Sequence, residues 1–153
     1  ADRGRSELAL ARATEALQTA ADGNITTYDP WVLCTITRVH TADGDVDGAL
    51  LAIDRAVASL SRNWVGEIHR VAVELAAVAT LLGAPEAAAR LIGVAESNED
   101  RRELPFQSPA ERSRLVTATE AAARELGDGY DRNRRRGETS TIAEALGPLL
   151  ASR

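Results

Sequence analysis

Apolar residues recur at helical spacing along almost the whole chain, and short polar turns separate the runs. The clearest run lies between Gly44 and Asn63. Its apolar residues stand at positions i, i+3, i+4 and i+7, which form one stripe on a helix. They are Val46, Ala49, Leu50, Ile53, Ala56, Val57 and Leu60. Because alternating strand patterns are nearly absent, the sequence predicts an all-α fold.

Glycines and capping residues divide the chain into about eight predicted helices. Their approximate ranges are 6–21, 30–43, 45–60, 63–82, 85–95 and 108–126, then a short arginine-rich helix that ends at 137, and a last one that starts at 141 and is limited by Gly147 and Pro148. The helix over 63–82 carries two neighbouring apolar lines, so we expect it to be the central one. Short links predict that consecutive helices are antiparallel neighbours.

Two spacings indicate an internal repeat. Trp31 and Trp64 both stand near helix starts, 33 residues apart, and the segment Gly44–Ala49 aligns with Gly83–Ala88, 39 residues later. Such a period is typical of helical-hairpin repeats. We therefore predict a right-handed, tetratricopeptide-like α-solenoid that forms a single domain over residues 1–153. The first helix then lacks its hairpin partner, and with Ala1 at the start and no Met we expect a fragment of a longer protein.

The composition excludes several classes of function. No apolar run approaches the 18 residues of a membrane span, and we expect no signal peptide at Ala1. All 18 basic residues are Arg, so a phosphate-binding loop that needs Lys and a Schiff-base lysine are both excluded. The net charge of −5 disfavours nucleic acid as the main partner. The lone Cys34 is predicted to be a buried, inert thiol, which fits a cytoplasmic location.

The residues that most often carry chemistry do not form a recognisable constellation. His40 and His69 are the two histidines, and we expect both on helix surfaces, at no metal-ligand spacing. Asp43, Asp45 and Asp47 alternate around Gly44, but helix capping explains them better than a calcium loop does. With no carboxylate pair, triad or phosphate loop, we predict a non-catalytic protein without cofactor or metal.

Four short blocks carry a resemblance to a known family. They are Ala88–Glu96, Leu104–Arg112, Glu125–Tyr130 and Gly137–Leu146. In this order and with these gaps, they resemble the C-terminal end of the tetratricopeptide-like helical region of large bacterial signal-transduction ATPases, including LuxR-type and AfsR-type transcriptional regulators. The similarity covers roughly residues 64–146. It implies a regulatory, transcription-linked parent protein whose ATPase and DNA-binding domains lie outside this chain.

In that family the helical region senses a small inducer or docks a regulatory protein, so the resemblance implies one of these partners. The curved face of a solenoid is its usual binding surface. We therefore predict that the partner contacts a concave side that carries Trp31, Arg38, Trp64 and Arg70. For the two tryptophans, packing between hairpins is the competing interpretation.

A basic cluster near the C-terminus provides the alternative function. Arg132, Arg134, Arg135 and Arg136 could bind an anionic partner, including nucleic acid. The competing interpretation is that arginines in the last turn of a helix complement its negative C-terminal end. Arg134 also stands where the similar family often has an aromatic residue, which makes this patch polar.

Overall fold

The computed structural model describes residues 3–23, 29–60, 68–98 and 109–151, and every regular element within these ranges is helical, which confirms the all-α prediction. The α-helices in these ranges are α1 (Arg3–Asp22), α2 (Asp29–Ala42), α3 (Val46–Ser59), α4 (Ile68–Leu81), α5 (Pro85–Ser97), α6 (Pro109–Leu126), α7 (Tyr130–Glu138), α8 (Ile142–Ala145) and α9 (Gly147–Leu150). A 3₁₀ turn, Gly127–Gly129, joins α6 to α7. No helix in the described ranges is long and apolar enough to cross a membrane.

The chain divides into two compact units, Ala1–Ser61 and Arg62–Arg153. In the first unit, α2 packs against both α1 and α3. One buried cluster consists of Leu33, Ile36, Ala52 and Ala56, and partly buried apolar residues of α1 and α2 pack against it. These positions recur at helical spacing, so burial of one stripe per helix holds the unit together. Cys34 is buried as expected.

In the second unit, α5 is the central helix. It packs against α4 and α6, and also against α7, α8 and α9. Its buried residues are small or medium aliphatics, which let several neighbours approach closely: Ala87, Ala88, Ala89, Leu91, Ile92, Gly93, Val94 and Ala95. The wide apolar band on α4 is buried against α5 and α6, as its two apolar lines predict. The expectation that this helix is the central one is wrong, because α5 has more neighbours.

The turns α2–α3 and α4–α5 have the same local geometry, 39 residues apart. Gly44 and Gly83 both adopt a positive φ, of 75° and 68°. After each glycine, a backbone N–H donates to a carbonyl five residues earlier, from Asp45 to His40 and from Ala84 to Ala79. A residue in this left-handed conformation ends a helix, and glycine adopts it without steric cost. The sequence alignment of the two segments therefore corresponds to a shared turn structure.

The predicted capping residues can be compared with the structure at three places. The Asp45 carboxylate accepts a hydrogen bond from the Gly48 N–H, which confirms it as the cap of α3. Thr141 and Glu144 form a reciprocal capping box at the start of α8, which agrees with the helix start predicted at 141. Gly147 and Pro148 were predicted to limit the last helix. In the structure they instead begin a further single-turn helix, α9. Proline at an early helical position loses no hydrogen bond, which explains this difference.

Candidate functional site

The residues predicted to line a concave surface are described only in part. Trp31 and Arg38 lie on α2 in the first unit, and both side chains are half-buried. Arg70 lies on α4 in the second unit. Trp64 lies outside the described residues. A surface that combines these four side chains therefore stays a prediction.

Arg70 belongs to a charged cluster between α4 and α6. Its Nε atom lies 3.7 Å from one carboxylate oxygen of Glu111, and the other oxygen lies 3.7 Å from Nε2 of His69. His69 is 1% exposed and Glu111 is 3% exposed. A charge at such depth is costly unless it is paired, so these contacts fix how α6 sits on α4.

A second ion pair lies in the same seam. Arg114 on α6 contacts Glu74 on α4, with 2.5 Å between Nη2 and Oε1. Their side chains are 30% and 12% exposed. The seam between α4 and α6 therefore holds two carboxylates and two guanidinium groups, besides His69. In each pair a carboxylate on one helix faces a guanidinium group on the other. This pairing of opposite charges favours the observed position of α6 on α4.

The prediction that His69 lies on a helix surface is wrong. Its Nδ1 lies 2.8 Å from the carbonyl oxygen of Ala95, within the core of the second unit. This partner satisfies the polar ring, which allows it to be buried. The sequence contains a signal for this position, because His69 precedes the buried residues Ala72, Val73 and Ala76 by three, four and seven positions.

The histidine in the first unit has a different role. Nδ1 of His40 lies 2.8 Å from the Asp45 carboxylate at the end of α2. The backbone hydrogen bond from Gly48 and the His40 ring together lower the pKa of Asp45. His40 therefore supports the cap of α3. Among the described residues, no group of three histidine, cysteine or carboxylate side chains could hold a metal ion.

The four clustered arginines of α7 separate into two sets. Arg134 faces α5, where its Nη1 contacts Glu96 at 2.6 Å, and the same Nη1 contacts Glu138 of α7 itself at 2.9 Å. The hydrogen bond with Glu96 raises the pKa of Arg134 above its usual value. Arg134 therefore fastens α7 to α5, and this role was not predicted from the sequence.

The other three arginines form an exposed surface, which we call the arginine face: Arg132, Arg135 and Arg136. Their positions i, i+3 and i+4 place them on one side of α7. None of them forms an ion pair within the described part of the chain. Three guanidinium groups that face solvent together can bind carboxylates or phosphates with paired hydrogen bonds.

Close backbone packing holds the arginine face in place. A Cβ atom at Gly137 would collide with the carbonyl oxygen of Arg90, and one at Gly93 would collide with that of Arg134. The two glycines therefore let α5 and α7 touch along their backbones. The buried Asn133 adds polar contacts, because its amide oxygen accepts from Arg90 and its amide nitrogen donates to Gly129. The arginine face thus lies on a helix that is closely packed against α5.

A shallow depression of about 450 Å³ lies on one face of α6. The described residues that line it are Pro109, Arg112, Ser113, Val116 and Thr117. They offer a guanidinium, two hydroxyl groups and an exposed valine. This combination can bind a small polar molecule with an apolar part.

The comparisons with known proteins identify no relative: no family model, curated protein or solved structure matches this chain.

Proposed function

We propose that this chain is a non-catalytic helical module of a larger, cytoplasmic bacterial transcriptional regulator, and that it docks an acidic protein partner. The observation that carries the proposal is the arginine face, with three exposed guanidinium groups on one closely packed helix. Arginine is the cation best suited to planar, bidentate recognition of carboxylates. A surface of this kind binds rather than reacts, since arginine stays protonated and serves poorly as a proton donor or nucleophile.

Charge favours a protein over nucleic acid as the partner. Proteins that bind duplex DNA through its backbone commonly neutralise about six to ten phosphates. The arginine face offers three arginines, and exposed acidic residues lie close to it along the chain at Asp128, Asp131 and Glu138. The whole chain carries a net charge of −5. These charges would repel a long polyanion more than a short acidic protein segment, which carries fewer negative charges.

The membership in a regulator rests on the resemblance of four sequence blocks. The blocks that the structure describes all lie in the second compact unit. One is on α5, one at the junction of α6 with α7, and one at the end of α7 with α8. The shared geometry of the turns at Gly44 and Gly83 supports a tetratricopeptide-like repeat with a 39-residue period. A coding sequence for a phosphate-loop ATPase directly upstream would support this assignment, and its absence would count against it.

Charge reversal tests the docking proposal. The triple variant Arg132→Glu, Arg135→Glu, Arg136→Glu should reduce binding to a fluorescent 20-residue Glu-rich peptide at least tenfold by anisotropy, because attraction becomes repulsion at each position. Arg55→Glu with Arg124→Glu is the control, since both arginines are exposed and neither belongs to α7. Equal losses in the two variants would contradict the proposal.

The alternative function is nucleic-acid binding through the same arginines. It predicts that a duplex DNA of similar charge binds more tightly than the peptide, with an affinity that falls steeply with salt. Stronger DNA binding that the triple variant abolishes would replace the protein partner with this alternative.

A small inducer is the second candidate partner. The depression on α6 favours it, because Arg112, Ser113 and Thr117 place polar groups beside the exposed Val116. The predicted contacts of Trp31, Arg38, Trp64 and Arg70 belong to the same hypothesis of a ligand-sensing solenoid.

A further inference from the structure

Helix α7 has one side that packs on α5 and another that carries the arginine face. The packed side holds the buried residues Asn133 and Gly137, and both of them contact Arg90 of α5. From the angle per residue of an α-helix, the centre of the arginine face lies about 130° around the helix from these two residues. The three arginines of this face are all exposed, so the face is directed to solvent.

The acidic residues beside the arginine face contact Arg134 instead. Glu138 lies 2.9 Å from Nη1 of Arg134, and Asp131 lies 4.0 Å from its Nε. Glu96 of α5 contacts the same guanidinium group at 2.6 Å. Within the described ranges, no carboxylate forms an ion pair with an arginine of the arginine face. The positive charge of this face is therefore available to a partner.

The spacing of the arginine face suits a compact group with two negative charges. Helical residues three or four positions apart have Cβ atoms about 5–6 Å from each other, so Arg132 lies beside both Arg135 and Arg136. A phosphomonoester carries close to two charges and three strong acceptor oxygens at one point. Each guanidinium group can bind two such oxygens with paired hydrogen bonds. A carboxylate has one charge and two oxygens, so it matches three arginines less well.

The same spacing is a poor match for a polynucleotide. The arginine face covers about 6 Å of the helix axis, whereas each strand of a DNA duplex continues as a row of phosphates about 3.4 Å apart along its axis. Exposed carboxylates stand on both sides of the face along the chain, at Asp128 and Glu138. A row of phosphates would extend beyond the arginines towards these acids. A single phosphate on an otherwise uncharged segment would not.

We propose that the arginine face binds a phosphorylated serine or threonine in a segment of the partner protein. This inference rests on the proposed function and names the acidic group that the partner presents. Docking would then follow the phosphorylation of the partner, because the unmodified segment lacks the group that three arginines can bind together.

Fluorescence anisotropy with matched peptides tests this inference. One short peptide carries a central phosphoserine between uncharged residues, and a second has two adjacent glutamates in its place and therefore a similar charge. At about 0.15 M salt and near neutral pH, the natural chain should bind the phosphopeptide about fivefold or more tightly than the glutamate peptide. Inorganic phosphate should displace the phosphopeptide only at a much higher concentration than unlabelled phosphopeptide does.

The outcomes separate this inference from the function on which it rests. Equal affinity for the two peptides would overturn the phosphate preference, while binding of the Glu-rich peptide at the arginine face would still support an acidic partner. No binding of any of these peptides would contradict both. Inorganic phosphate as potent as the phosphopeptide would overturn recognition of a protein segment, and tighter binding of duplex DNA would favour nucleic acid instead.

A charge-preserving variant tests the role of the guanidinium groups. Arg132→Lys, Arg135→Lys, Arg136→Lys keeps the three charges but removes the planar pairs of donors. It should still bind both peptides and lose most of the preference for the phosphopeptide. Lysine is a good helix former, so α7 should stay intact. The control Arg55→Lys with Arg124→Lys should keep the preference, and a triple variant that also kept it in full would overturn the proposal.

Discussion

Among the glycines compared in the described part of the chain, Gly137 has the least room for an added side chain. It lies where α7 crosses α5, and a Cβ atom there would collide with the backbone carbonyl of Arg90. Backbone atoms cannot rotate away, so Gly137→Ala must push the two helices apart. We expect a loss of about 1–3 kcal/mol in the free energy of unfolding, as for other overpacked sites. Urea denaturation of the purified variant measures it.

Gly129→Ala is the matched control for this variant. A Cβ atom at Gly129 would meet its nearest neighbours, in Arg132 and Leu126, at 3.7 and 3.9 Å, which are ordinary contacts. Its free energy of unfolding should therefore change by no more than about 0.5 kcal/mol. If Gly137→Ala were as stable as this control, the account of a close backbone contact between α5 and α7 would be wrong.

His69 shows why the sequence did not reveal the buried cluster. Its spacing to Ala72, Val73 and Ala76 was a usable signal, yet a polar ring on an apolar stripe becomes acceptable only with a partner. That partner is the carbonyl of Ala95, 26 residues away in the chain. Glu111 is similar, because its place in the first turn of a predicted helix gave no indication that it faces α4.

At the scale of the helix, the cap of α3 should depend on pH. The Gly48 N–H and the His40 ring lower the pKa of Asp45, so this group adds stability above its usual titration range and loses it as the pH falls through the lowered pKa. The unfolding midpoint of the natural chain should therefore drop in acid by more than that of Asp45→Asn.

Asp45→Asn is informative because asparagine caps helices as well as aspartate does but carries no charge. Asp45→Ala removes the cap itself and should lower the midpoint at every pH. Identical acid profiles for the natural chain and Asp45→Asn would contradict a role for the carboxylate charge.

The ends of the helices were largely predictable from the sequence. The side-chain contacts between helices were not. Glycine with a positive φ, proline in a first turn and the Thr141–Glu144 box act within a few residues, so local patterns identify them. The two roles of the α7 arginines depend on Glu96, 38 residues before Arg134. The four arginines look alike in the sequence. In the folded chain, Arg134 binds α5 and the other three are exposed.

At the scale of the whole molecule, the all-α fold follows from helical periodicity and from the lack of strand patterns. The expected central helix differed, because α5 owes its position to small residues rather than to a wide apolar band. The tetratricopeptide-like solenoid, the regulator and its partner stay proposals. Small residues determine how close helices approach, but not which surface a partner uses.

The central claim is that the arginine face docks an acidic protein segment, and NMR mapping tests it most directly. The ¹⁵N-labelled chain would be titrated with the Glu-rich peptide at about 0.15 M salt, a concentration that screens long-range attraction. We expect the largest side-chain and amide shifts at Arg132, Arg135 and Arg136, with small shifts at Arg55 and Arg124. Shifts that centre elsewhere, or no shifts at millimolar peptide, would contradict the claim.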